Sequence, residues 1–211
     1  MKTIIGLSGY AGSGKSTVSS YLVNEHGATR VSFAGALKDI TATLFGWDRD
    51  MVEGATPQSR AWRDTPDVFW SPVFGKDITP RYMLQFMGTE VMRNSLHRDI
   101  WVQVALNKIR MLPENSLVVV DDVRFVNERN ALRDAGAVFW QISRLGHPTL
   151  EHRDIYNAAM DGTLASREYT PPTLHPSEWD WMKDDTTKDI HILNTTSFDE
   201  LYADIDLCLG K

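Results

Sequence analysis

At 211 residues, with 42% hydrophobic and 24% charged side chains, the chain has the balance of one α/β domain carrying a moderate insertion, which excludes wholesale disorder. A formal charge of -6 and the lack of a basic stripe interleaved with aromatics argue against duplex nucleic acid as a bulk ligand. No apolar run of about 18 residues is present to span a membrane, and the single cysteine, Cys208, reads as a buried small hydrophobe, allows no internal disulfide and fits a reducing, cytoplasmic compartment.

Residues 2–8 read as a first strand through Ile4, Ile5, Gly6 and Leu7. Gly9-Tyr10-Ala11-Gly12-Ser13-Gly14-Lys15-Ser16 follows directly and matches GxxxxGK[ST] at every fixed position. Glycines 9, 12 and 14 allow positive φ, so that successive N–H groups converge on phosphate oxygens at a helix N-terminus. Lys15 supplies a mobile point charge for the β- and γ-phosphates, and the Ser16 hydroxyl can join a Mg²⁺ shell. Gly12, Ser13, Gly14, Lys15, Ser16 and Thr17 are therefore the expected nucleotide-binding residues.

Ser16–His26 is the helix after the loop, ended by Gly27, and Ala28–Phe33 a second strand. A helix through Leu37, Ile40, Thr41 and Leu44 stops near Gly46. Residues 47–78, punctuated by three prolines, are expected to form a loop or short helices over a cleft. Thr79 caps the next helix with Pro80 at its first position, and another covers Arg98–Met111.

Leu117–Val120 is an unbroken aliphatic run, as expected of a parallel strand covered on both faces. Asp121-Asp122 ends it, and strand alternation points only one of the two toward the site, where a carboxylate would lie beside the Mg²⁺ held by Ser16. Asn127–Asp134 is a helix, Val138–Ile142 and Ile190–Leu193 are strands, and Phe198–Leu209 is a closing helix capped by Ser197. Strands alternating with helices predict a doubly wound parallel sheet in a single domain. Residues 145–189 break the rhythm and read as a mobile flap or a surface excursion. Within them, His175 and Glu178 lack the further ligands of a tetrahedral metal set and read as a hydrogen-bonded flap base.

A phosphate loop alone leaves a hydrolase or switch, a small-molecule kinase and a nucleic-acid motor open. The supply of cations away from the loop, Lys38, Arg81, Arg124 and Arg144, tips the reading toward a kinase, because transfer between two phosphates needs charge neutralised on donor and acceptor alike.

Several stretches then resemble one family. Phe33-Ala34-Gly35-Ala36-Leu37-Lys38-Asp39, Arg81 through Gln85-Phe86-Met87-Gly88-Thr89-Glu90, Trp101-Val102, Asp122-Val123-Arg124, Ala135-Gly136-Ala137, Ile142-Ser143-Arg144, His175 to Glu178 and Asn194 match the deoxynucleoside monophosphate kinases of tailed bacteriophages, within the P-loop NMP-kinase fold. The resemblance spans nearly the whole chain and implies transfer of the γ-phosphoryl of ATP to a dNMP with Mg²⁺, in the host cytoplasm if the chain is phage-encoded. It implies an acceptor region over 33–100 and a lid over 145–189. Ser32, Phe33, Lys38, Arg81, Gln85, Gly88, Thr89, Glu90, Trp101 and Arg124 would then face the acceptor. Asn194 would lie near adenine, Arg144 would be the flap arginine facing the triphosphate, and Lys15, Asp122, Arg124 and Arg144 would form the catalytic set. The partners implied are ATP and a dNMP, without duplex nucleic acid or membrane, in a monomer or homodimer. Read from the residues alone, Trp101 is either a pocket wall or a core anchor, and Gln85 and Glu90 are not an i,i+4 pair. Other acceptors, dephospho-coenzyme A or a nucleoside, and an acceptor-free P-loop ATPase or binding protein remain as alternatives.

Overall fold

The computed structural model describes residues 1–144, 179–184, 186–194 and 197–210. The chain divides into two compact units, Met1–Ser32 with Leu106–Lys211, and Phe33–Ala105.

The first unit is a parallel five-stranded sheet in the order β2-β3-β1-β4-β5. Its strands are β1 (Thr3–Ser8), β2 (Thr29–Val31), β3 (Leu117–Val120), β4 (Val138–Arg144) and β5 (Ile190–Asn194). The aliphatic run of β3 is buried on both faces, as its lack of alternation predicts. Central β1 pairs with β3 on one side and β4 on the other, so the strand order reverses there and a crevice opens at the carboxyl end of β1. Helix α1 (Lys15–His26) starts at that end and buries Val18 and Leu22, closing with Gly27 in the left-handed region at φ 64. The C-terminal α9 (Phe198–Cys208) packs Leu201 and Ile205 into the same core as Ile5, Leu7, Leu22 and Ile192. Cys208 is half-buried rather than buried, at the edge of that cluster, and its burial raises the thiol pKa. Helix α8 (Val126–Asp134) precedes β4.

The second unit is helical. It contains α2 (Gly35–Phe45), α3 (Arg49–Glu53), α4 (Pro57–Arg63), α5 (Trp70–Phe74) and α6 (Pro80–Gln85), and α7 (Ile100–Met111) spans its boundary at Ala105. The expected second strand stops at Val31, two residues early, and Phe33 is instead buried in the second unit. The stretch 47–78 is three short helices: Asp48 accepts from the Met51 N–H at the first, Thr56 and Ser59 form a reciprocal capping box at the second, and Asp67 accepts from the Phe69 and Trp70 N–H groups before the third. Aromatic side chains hold these pieces together: Phe45 stacks on Trp47 at 4.6 Å, the Trp47 indole donates to Asp67 at 2.7 Å, and the Trp70 indole donates to the Phe45 carbonyl at 2.9 Å. Thr79 caps α6 with Pro80 at its first position, as its sequence predicts.

The α-helical winding is lost after Gln85. Phe86–Asn94 is a π-helix, whose i→i+5 hydrogen bonding sets residues five apart about one turn from each other. Gln85 is the last residue of α6, and Glu90 lies within the π-helix.

Candidate active site

In the first unit, Gly9, Gly12 and Gly14 take φ of 142, 80 and 106, so the loop after β1 curls into a nest of backbone amides at the start of α1. The Lys15 ammonium lies in this curl, donating to the carbonyls of Gly9 at 2.6 Å and Tyr10 at 2.8 Å. Ser16 is exposed and Thr17 half-buried in the first helical turn.

Three buried contacts hold the loop from behind. The Ser8 hydroxyl, directly before it, accepts from Arg129 Nη1 at 3.1 Å. Tyr10 is buried, with its hydroxyl 3.2 Å from the Met182 sulfur and its ring edge-on to Trp181 at 6.1 Å. Asn194 Nδ2 donates to the Ser13 carbonyl at 2.9 Å. Asn194 is thus 8% exposed, at the end of β5. Its amide nitrogen is committed to the phosphate loop, which the expected place near adenine did not anticipate.

Arg129 is a fully buried cation. Its guanidinium donates to Asp184 at 2.6 Å and to both oxygens of Asp189 at 2.8 and 2.9 Å, and it lies over the Phe139 ring at 4.1 Å. Arg133 adds a second ion pair to Asp184. Burial raises the Asp189 carboxyl despite Arg129, whereas at Asp184 the same effect of burial is outweighed by hydrogen bonds from Arg133 and Arg129, which leave its pKa lowered.

The two carboxylates after β3 have different surroundings. Asp121 is buried, pairs with Arg30 at 2.8 Å, and has its pKa raised chiefly by burial. Asp122 is half-buried and accepts from the Ser32 hydroxyl at 2.6 Å, tying the ends of β2 and β3 together. The backbone of Arg124 is pinned on both sides: its N–H donates to buried Glu128 at 2.8 Å and its carbonyl accepts from the Trp181 N–H at 3.1 Å. Its side chain is exposed, as is that of Arg144, which is in register with Asn194 where β4 and β5 end.

The far end of the segment 145–189, expected as a lid, packs within the first unit. Residues 180–183 form a 3-10 turn with Trp181 and Met182 buried, Asp180 accepts from the Val126 N–H at 3.1 Å, and Asp184 and Asp189 are held by Arg129. A stretch fixed by a buried tryptophan, a buried methionine and an ion-pair network belongs to the core. Residues 145–178, with His175 and Glu178, lie outside the described residues.

In the second unit, Lys38 donates to Glu53 at 2.6 Å, and Arg49 bridges Glu53 and Asp39. Burial alone would raise the Glu53 carboxyl, but the hydrogen bonds from Lys38 and Arg49 overcome this and pull its pKa down to about 2. Arg81 forms a two-pronged pair with Asp64. Arg63 has its Nε buried without a hydrogen-bond partner, and burial followed by the nearby Arg81 charge lowers its pKa. Gln85 is exposed at the end of α6, and Thr89 and Glu90 are exposed on the π-helix. Gly88 is buried where an added Cβ would meet Leu37 at 2.8 Å, and its carbonyl accepts from the Trp101 indole at 3.0 Å. Trp101 is 4% exposed with its one polar group engaged, so of its two readings the core anchor is the one this packing supports.

A protein of Acanthamoeba polyphaga mimivirus bearing the provisional name deoxynucleotide monophosphate kinase is 31% identical over 218 aligned positions, spanning 99% of this chain and 96% of its own. The chain belongs to the deoxynucleotide monophosphate kinase family. The family model of that description matches residues 71–158, which include the Gly88-Thr89-Glu90 block and Arg124. A deoxynucleoside-5′-monophosphate kinase of Escherichia phage T5 is 23% identical and covers 84% of both chains. Among solved structures, a dephospho-CoA kinase from Campylobacter jejuni covers 100% of this chain and 96% of its own at 15% identity, with a TM-score of 0.47.

As a member of this kinase family the protein is an enzyme of the nucleotide-kinase class, which implies ATP use. The first unit gathers Gly12, Ser13, Gly14, Lys15, Ser16 and Thr17 in the loop and first turn, with Asn194 against Ser13 and Asp122 bonded to Ser32. In the second unit, Phe33 and Trp101 are buried, while Lys38 and Arg81 already have carboxylate partners within that unit. The functions of Arg129, Glu53, Arg63 and Tyr10 were not legible. A buried arginine or glutamate is the same letter as a solvated one, and only the packed fold reveals its burial. Among the described residues, no helix is long and apolar enough to cross a membrane.

Proposed function

We propose that the protein transfers the γ-phosphoryl group of ATP to the phosphate of a deoxynucleoside 5′-monophosphate, giving a deoxynucleoside diphosphate and ADP. The observation that carries this is the nest of positive-φ glycines with Lys15 in its curl, at the carboxyl end of the central strand of a chain in this family.

Gly12 to Thr17 hold the triphosphate through backbone amides and hydroxyls, and Lys15 exchanges its loop carbonyls for phosphate oxygens. The donors available for Mg²⁺ are the exposed Ser16 hydroxyl and the Asp122 carboxylate, an all-oxygen pair that suits a hard ion keeping several waters. Bound there, the ion would neutralise charge on the triphosphate oxygens. Ser32 orients Asp122 through its hydrogen bond.

Acceptor binding is assigned to the second unit. Lys38, Arg81, Gln85, Gly88, Thr89 and Glu90 come from the helices of that unit, where Phe33 and Trp101 are buried and the Trp101 indole holds the Gly88 carbonyl. Lys38 and Arg81 are kept extended by Glu53 and Asp64 and can trade those partners for a phosphate. Arg124 and Arg144, exposed in the first unit, meet the charge that develops on the transferring group. No general base is required, because the attacking phosphate oxygen is already ionised at neutral pH.

A panel of deoxy- and ribonucleoside monophosphates with ATP and Mg²⁺, followed by chromatography of the products, tests the reading. Formation of a matching diphosphate from at least one deoxynucleotide is the expected result. No diphosphate from any deoxynucleotide, with the ribose 3′-hydroxyl of added dephospho-coenzyme A phosphorylated instead, would replace it with another kinase activity.

A further inference from the structure

Asn194 ends β5, is 8% exposed, and donates through Nδ2 to the Ser13 carbonyl at 2.9 Å. The residue it touches is inside the phosphate loop. A Cβ built on Gly14 would lie 2.2 Å from the same nitrogen, so the amide sits flush against the Ser13–Gly14 peptide, and Gly14 has φ 106. In a trans peptide the C=O and the following N–H point in opposite directions. Drawing the Ser13 carbonyl toward Asn194 therefore turns the Gly14 N–H the other way, away from Asn194.

We propose that Asn194 is a positioning residue of the phosphate loop: it fixes the Ser13–Gly14 peptide plane so that the Gly14 N–H is presented to the phosphates before they arrive. This rests on the reading of the loop as the ATP site. It differs from a nucleobase contact, because the side chain is buried against the phosphate loop and one of its two amide N–H groups is already given to the loop backbone. Without it, the Ser13 carbonyl would be buried with one fewer donor, and the peptide would be free to rotate. Preorganisation of this kind lowers the cost of binding any polyphosphate, with or without a base.

Calorimetric titration of ATP and of tripolyphosphate into the wild-type protein, Asn194→Ala and Asn194→Ser separates the possibilities. Both ligands should bind the variants more weakly by the same factor, roughly three- to ten-fold for one lost hydrogen bond. The Gly14 amide resonance reads the peptide plane itself: tripolyphosphate should shift it strongly in the wild type and much less in either variant. Asn194→Ser, a smaller polar replacement, carries the test if the alanine variant does not fold. Unchanged tripolyphosphate affinity beside a weakened ATP affinity would overturn the proposal in favour of a base contact, and unchanged affinity for both would overturn it outright. Failure of the wild type to bind tripolyphosphate would instead sink the donor-site reading.

Discussion

Replacing Arg129 by methionine keeps most of the side-chain volume and removes only the charge and its donors. The consequence follows from what surrounds it. The guanidinium is fully buried and supplies hydrogen bonds to Asp184, Asp189 and Ser8. Asp184 keeps Arg133, but Asp189, 3% exposed, loses the cation that opposes its burial. Removing one partner of a buried pair costs about 3–5 kcal/mol, since the other charge is left in a low-dielectric site. At about 2–4 °C per kcal/mol for a protein of this size, the melting temperature should fall by roughly 6–20 °C. The loss should also depend on pH in a definite direction. Burial already raises the Asp189 carboxyl, and without Arg129 it rises further. A carboxyl raised above its unfolded value favours the fold at acid pH and disfavours it as pH rises through the folded value, so the gap between variant and wild type should be wider at pH 8 than at pH 5. Urea unfolding followed by circular dichroism at the two pH values measures both effects. A penalty below about 1 kcal/mol, or one that widens on acidification, would refute the assignment of Arg129 as the buried counter-charge.

Lys15→Ala should leave the fold intact and abolish transfer, measured as diphosphate formation beside an unchanged melting curve. Arg144→Ala should depress turnover far more than it raises the acceptor KM, because the residue is assigned to developing charge; the reverse pattern in steady-state kinetics would remove it from that role. Glu53→Gln should destabilise the protein by about 1–2 kcal/mol, a value discounted for the half-exposed setting of the ion pairs with Lys38 and Arg49. Because the folded Glu53 titrates at about 2 against an ordinary 4.5, its contribution is present above 4.5 and fades as pH falls toward 2. The stability difference from wild type should therefore be flat from neutral pH to about pH 5 and shrink below that, in denaturant titrations across the range.

Features set by local rules were legible in the sequence. The glycine spacing of 9, 12 and 14 dictated the nest, Thr79-Pro80 dictated a helix start, and the aliphatic block Leu117–Val120 dictated a strand buried on both faces. The parallel, doubly wound sheet followed from the alternation of these elements. Features set by packing were not. The π-helix at Phe86–Asn94 escaped because apolar periodicity is read against α-helical spacing, while the indole of Trp101 on the Gly88 carbonyl is a tertiary contact. Trp181 and Met182 sit among charged residues, a pattern that fits a flap or a surface excursion, whereas their contacts with Tyr10 and Arg124, and that of Asp184 with Arg129, are with residues far away in the chain. Asn194 was singled out, but its partner, a carbonyl 181 residues earlier, could not be read from the chain.

On the proposed reaction, the terminal phosphate of ATP passes to a deoxynucleotide. Incubation with ATP labelled in its γ-phosphate and an unlabelled dNMP, followed by separation of the products, tests it most directly. The label is predicted to appear in the deoxynucleoside diphosphate, with little inorganic phosphate and with ADP formed only when the acceptor is present. Label released as inorganic phosphate at a rate indifferent to every added monophosphate would contradict it.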